Sequence, residues 1–284
     1  MSIKFGFVTS VKLGLSCMEE IYRNNGKLEI AISLNDDLQT NNSGRVYIDN
    51  FCEEKNIKLL KCQHINDDEC IDLIKSSGID WLFIIGWSQI ASNKVLEAPK
   101  KGAIGMHPTL LPVGRGRASI PWAIIHKEKY TGVTMFKLDE GVDTGLIIAQ
   151  EKIKMKNNID AGYLYEQVNK AHISLMENAY PKLVKDNFKG KKQDESLATY
   201  WPGRKPEDGE IDVNGSVQDA EVLIRAVTKP YPGAFYWTKE GKKRIVWSSE
   251  VVKNTNDSGK YLEFNDGILK LIEFEDINVK KKNS

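Results

Sequence analysis

The stretch IKFGFVTSVKLGLSCMEEIYRNNGKLEIAISL, residues 3–34, decides the fold class. IKFGFVTS is apolar enough for a buried strand, GLSCMEEIYRN spaces its apolar residues at helical intervals, and LEIAISL reads as a second buried strand. Strand, helix and strand in such quick succession make a βαβ opening, which sets the two strands parallel and lays the helix on a face of the sheet.

The same alternation continues outward. IKLLK (57–61) is a strand, DDECIDLIKSSG (67–78) a helix stopped by glycine, and IDWLFIIGW (79–87) is apolar along its length, as a strand covered on both faces must be. A short helix near 92–97 leads to GAIGM. TGVTMFKL (131–138) and GLIIAQEKI (145–153) are later strands around a glycine-rich turn, and a long helical stretch runs over 161–186. The pattern predicts an α/β domain: a Rossmann-like, mostly parallel sheet with helices on both faces.

Composition shifts near Leu197. ATYWPGRKPEDGEID (198–212) reads as a linker, DAEVLIRAV as a helix, and GAFYWTKEG, KRIVWSSEVV, KYLEFND and GILKLIEFED as short strands of a small β-rich, OB-like C-terminal domain. The expected division is therefore 1–196 for the catalytic domain and 197–284 for the linker, helix and β domain.

With 284 residues, 41% hydrophobic and 28% charged, the chain is long enough for a substantial core and ordinary in composition. A net charge of +1 gives no electrostatic case for nucleic acid, and Lys280-Lys281-Lys282 reads as a solvated tail. No window is long and apolar enough for a membrane span. Cys17, Cys52, Cys62 and Cys70 match neither a disulfide framework nor a common zinc spacing, so no metal site is expected and the expected compartment is the reducing cytoplasm.

The chemistry concentrates in GMHPTLLPVGRGRASIPWAII (105–125). His107 closes an apolar strand, and in an open α/β sheet ligands bind at the carboxyl ends of strands. A histidine needs a second polar group before it becomes a reacting centre. LDEGVDTG (138–145) offers Asp139 and Asp143 on a turn rich in glycine; an aspartate beside a histidine fixes the imidazole tautomer and holds its charge after it takes a proton.

His107-Pro-Thr-Leu-Leu-Pro112, Arg115-Gly-Arg117-Ala, Pro121-Trp122, Thr131-Gly-Val-Thr134 and Asp139-Glu-Gly-Val-Asp143-Thr-Gly145, in that order, resemble the signature of the folate-dependent formyltransferases, the family of methionyl-tRNA formyltransferase and the sugar-nucleotide N-formyltransferases. The resemblance extends to Arg204-Lys-Pro-Glu-Asp-Gly209 and Pro230-Tyr-Pro-Gly-Ala-Phe235. It implies 10-formyltetrahydrofolate as formyl donor, a primary amine as acceptor, His107 as the proton carrier and Asp143 as its partner. By the same resemblance Arg117 lies near the folate, Asp139, Glu140, Gly141 and Val142 hold the pterin, and Ser88, Gln89 and Ile90 line its other side. The family also makes a homodimer plausible. It usually carries asparagine two residues before the histidine, to hold the oxyanion, but here that position is Gly105.

A nucleotide-linked amino sugar fits the charge balance better than tRNA as acceptor. Arg204, Lys205 and Lys229 are candidate phosphate cations, and Tyr200 or Trp201 a candidate platform for the base. Methionyl-tRNA formylation, formate release by hydrolysis and a non-catalytic folate- or nucleotide-binding module are the alternatives.

Overall fold

A computed structural model describes residues 2–39, 44–255 and 258–277; the Lys280–Lys282 run lies outside them. The opening stretch forms β1 (Phe5–Val8), α1 (Lys12–Arg23) and β2 (Leu28–Leu34), followed by α2 (Asp49–Glu54), β3 (Lys58–Cys62), α3 (Asp68–Ser77), β4 (Trp81–Ile85), α4 (Asn93–Leu96) and β5 (Gly102–His107). Next come a two-residue strand β6 (Arg115–Gly116), α5 (Ser119–Ile125), β7 (Tyr130–Lys137), β8 (Ile147–Lys154) and α6 (Ala161–Val184). The remainder comprises a two-residue β9 (Tyr200–Trp201), α7 (Val217–Val227), β10 (Ala234–Trp237), β11 (Lys243–Val252), β12 (Lys260–Phe264) and β13 (Gly267–Ile277).

Seven strands form one sheet in the order β3-β2-β1-β4-β5-β7-β8. The first five are parallel, whereas β7 runs antiparallel to β5 and β8 antiparallel to β7. The order reverses at β1, whose neighbours are β2 and β4, the topological switch of a doubly wound sheet. Phe5, Phe7, Leu82 and Phe83 are almost wholly buried, and the Phe5 and Phe83 rings stack at 5.5 Å, which explains why β1 and β4 are apolar without alternation. Helix α3 ends as its sequence predicts, with Gly78 in the left-handed conformation at φ 60°.

The chain divides into two compact units, 1–116 with 130–154 and 167–200, and 117–129 with 155–166 and 201–284. The sequence reading expected one crossing at 196–197. The additional crossings arise partly because α5 packs against α7 and so joins the second unit. That unit carries an antiparallel sheet in the order β10-β11-β13-β12. The four cysteines are buried and free, and among the described residues no helix is long and apolar enough to cross a membrane and no His, Cys, Asp and Glu grouping could hold a metal ion.

In the first unit, α6 carries a buried histidine. His172 is 1% exposed; its Nδ1 lies 2.8 Å from the Val168 carbonyl, and its own carbonyl accepts from Cys17 Sγ. Burial pushes its pKa down from the usual 6.5 to about 4, the Val168 contact opposes that shift, and His107 adds to it. The native state therefore keeps His172 neutral where the unfolded chain protonates it, so stability falls as pH drops from 6.5 toward 4. The urea midpoint should decrease from pH 7 to pH 5, with His172 contributing up to about 1.4 kcal/mol per pH unit, and His172→Gln should flatten that slope. An unchanged slope in the variant would contradict this origin.

Candidate active site

His107 is the last residue of β5 and 7% exposed. Antiparallel pairing sets it opposite Thr134 on β7. The Thr134 hydroxyl is fully buried; it donates to the Thr109 carbonyl at 2.7 Å and accepts from Leu111 N at 3.0 Å and Gln150 Nε2 at 2.9 Å. The chain leaving His107 is thus tied down immediately.

The 138–146 connection between β7 and β8 returns Asp143 to His107. Asp143 Oδ2 lies 3.5 Å from His107 Nδ1 and accepts from Gly116 N at 2.8 Å. His107 Nε2 lies 2.7 Å from the Gly114 carbonyl. A carbonyl only accepts, so Nε2 carries the proton, and Nδ1 is the nitrogen left to gain one beside the carboxylate. Asp143 adopts φ 55°, and a Cβ on Gly145 would stand 1.7 Å from the Lys137 carbonyl, so this turn cannot close with a side chain at 145.

The other sequence candidates are distributed as follows. Asp139 Oδ1 accepts from Thr144 Oγ1 at 2.7 Å and from Gly141 N, shaping its own turn, while Glu140, Gly141 and Val142 are exposed. Asp139 and Glu140 border a cleft of about 530 Å³ with Leu96, Lys101, Lys137 and Leu138. Ser88 and Gln89 line a different hollow of about 410 Å³ with Gln63, His64 and Asp67; Gln89 is spent on the main chain of Gln63 and Ile65, and Ile90 is 81% exposed. The two halves of the expected folate wall therefore line separate cavities.

Tyr200 Oη accepts from Arg115 Nη1 at 2.7 Å, so this candidate platform already holds a protein cation. In the second unit, Trp201 packs its ring against His126, whose other neighbour is Trp122; the Arg204 guanidinium lies over Trp122 and donates to the Asp208 carbonyl. Burial pulls the Arg204 pKa below its usual value. Arg117 donates its main-chain N–H to the Trp201 carbonyl, and Lys229 pairs with Glu273 and covers Trp247. Trp201 and Arg204 thus share one aromatic cluster, while Lys229 has partners of its own. Arg115 is the residue that site reasoning from sequence passed over, although it stands inside the quoted motif. Its side chain is wholly buried and ion-paired to Glu195 at 2.7 Å.

Residues 34–180 match the formyl transferase family model, and residues 204–280 match the model of the formyl transferase C-terminal domain. The chain belongs to the formyl transferase family. It is 32% identical over 208 residues to the bifunctional polymyxin resistance protein ArnA of Wigglesworthia glossinidia brevipalpis, covering 73% of this chain and 32% of that protein. Against methionyl-tRNA formyltransferase of Ruminiclostridium cellulolyticum it is 33% identical over 202 residues, 71% of this chain and 64% of the relative. It therefore spans less than two thirds of either curated relative. The crystal structure of WlaRD, a sugar 3N-formyl transferase, in the presence of dTDP and 5-N-formyl-THF, superimposes with a TM-score of 0.69 at 20% identity over 98% of both chains, a likeness of fold.

In this formyl transferase, the space beside Gly105 is filled. A Cβ at 105 would lie 2.8 Å from Leu138 Cδ2 and 3.3 Å from its Cγ. Gly105 and His107 face the same side of β5, so Leu138 supplies an apolar wall one alternation away from the histidine. Gly105→Asn should cost about 1–3 kcal/mol by overpacking, and Leu138→Ala in the same chain should recover most of it. Urea unfolding of the single and double variants checks this; an Asn variant as stable as wild type would show that Leu138 yields freely.

Proposed function

We propose that this formyl transferase moves the formyl group of 10-formyltetrahydrofolate to the primary amine of a nucleotide-linked amino sugar. The observation that carries the reading is the pairing of buried His107 with half-buried Asp143, 3.5 Å apart, with His107 on a strand whose next same-face position, Gly105, meets Leu138. Leu138 also borders the cleft of about 530 Å³ with Asp139 and Glu140, a volume suited to a drug-sized ring system. Leu96 and Leu138 would cover the face of the pterin, and the Asp139–Val142 turn would meet its polar edge.

The folate supplies an electrophilic formyl carbon. As the acceptor nitrogen bonds to that carbon, His107 Nδ1 takes the amine proton, Asp143 holds the charge, and the proton passes to the departing folate nitrogen as the old C–N bond breaks. The nucleotide-sugar acceptor is supported by the near-neutral charge of the chain and by the fold shared with WlaRD. Methionyl-tRNA is the second reading, favoured by the 33% identical relative, and it calls for binding that weakens steeply with salt.

The test is an assay of the purified protein with 10-formyltetrahydrofolate and a panel of nucleotide-linked amino sugars, reading tetrahydrofolate release and acceptor mass. One acceptor should gain one formyl group. His107→Ala and Asp143→Asn should each lower turnover about 10²- to 10⁴-fold. Near-normal turnover in either variant would overturn the assignment, and formylation of methionyl-tRNA alone would replace the acceptor.

A further inference from the structure

Beyond α6, the chain returns to the first unit's sheet. Lys191 and Ile147 exchange both main-chain hydrogen bonds at 2.8 Å, which aims the next residues at the turn bearing Asp143. Gln193 follows, half-buried, and its amide uses its full bonding capacity. Its Oε1 accepts from Arg115 Nε at 3.1 Å and Nη2 at 2.9 Å, and its Nε2 donates to the carbonyls of Asp143 at 2.7 Å and Gly145 at 2.8 Å. A guanidinium only donates and a carbonyl only accepts, so these four partners also fix which end of the amide is oxygen.

The two groups that Gln193 joins belong to different segments. Arg115 stands between Gly114, whose carbonyl receives His107 Nε2, and Gly116, whose N–H reaches Asp143 Oδ2. Glu195 and Tyr200 hold the rest of its guanidinium, so each of its nitrogens has a partner when it meets Gln193. Asp143 holds a left-handed conformation, uncommon for a residue with a side chain, and its carbonyl is fixed by the same amide.

We propose that Gln193 is a positioning residue for the His107–Asp143 pair: it acts through Arg115 on the segment that orients the imidazole and through the Asp143 carbonyl on the segment that carries the carboxylate. It touches neither reacting group. The inference rests on the formyl-transfer reading for its effect on rate, but the geometry it describes is independent of which amine is formylated.

The test uses the full chain and two substitutions. Gln193→Met keeps the length and removes all four hydrogen bonds; Gln193→Glu keeps the acceptors facing Arg115 but turns an acceptor toward two carbonyls. Both should lower kcat about 10- to 100-fold while the KM values for donor and acceptor change less than about threefold, the signature of a misplaced reacting group rather than lost binding. Asp194→Ala, which removes the cap on Ser196 in the same segment without a hydrogen bond to Arg115 or Asp143, should leave kcat within about twofold of wild type if the loss is specific to Gln193. The ¹⁵N imidazole signals of His107 should move in both Gln193 variants and not in Asp194→Ala. Unmoved signals, an unchanged kcat, or an equal loss in Asp194→Ala would overturn the proposal. Turnover that survives His107→Ala would instead overturn the formyl-transfer reading, and the imidazole signals would still decide the role of Gln193.

Discussion

The buried hydroxyl of Thr134 is the fixed point of the site. Three hydrogen bonds converge on it, from the chain just beyond His107 and from Gln150 on the neighbouring strand. A hydroxyl can serve all three because it donates once and accepts twice. This anchor exists because β7 pairs with β5 and places Thr134 opposite His107. The antiparallel pairing at this edge of the sheet therefore gathers chain that is separate in sequence: β5 carries His107, β7 carries Thr134, and the turn of the β7–β8 hairpin carries Asp143.

The packing beside that hairpin sets the character of the pocket. Leu138 fills the room next to Gly105, so this wall offers shape and exclusion of water, with no hydrogen-bond donor. In the formyl-transfer reading proposed above, charge developing on the formyl oxygen would be met by main-chain amides or by His107 itself.

Much of this was legible in the sequence because the signals were local. The apolar runs at Phe5–Val8 and Trp81–Ile85 read as buried strands, the glycine at 78 reads as a helix stop, and the structure has all three. His107 and Asp143 were named from their motifs, and they meet. Other features depend on contacts between distant residues, and no periodicity marks them. Neither the partnership of Arg115 with Gln193 and Glu195 nor the membership of 117–129 in the second unit has a local signature. The grouping of Ser88 and Gln89 with Asp139 and Glu140 rests on family position, which no local signal carries; Gln89 itself bonds the main chain of the β3–α3 loop.

The burial of Arg115 also orders events during synthesis. Its guanidinium is wholly enclosed, and an enclosed cation without a counter-charge is expensive, so Arg115 cannot settle until Glu195 is available to meet it. Glu195 and Gln193 are made long after His107 and Asp143. A nascent chain that has emerged from the ribosome only as far as α6 carries His107 and Asp143 but lacks the groups that tie their loops together. The hydrogen bonds that hold Arg115 and the Asp143 carbonyl therefore wait on a short polar segment of unremarkable composition made later in the chain.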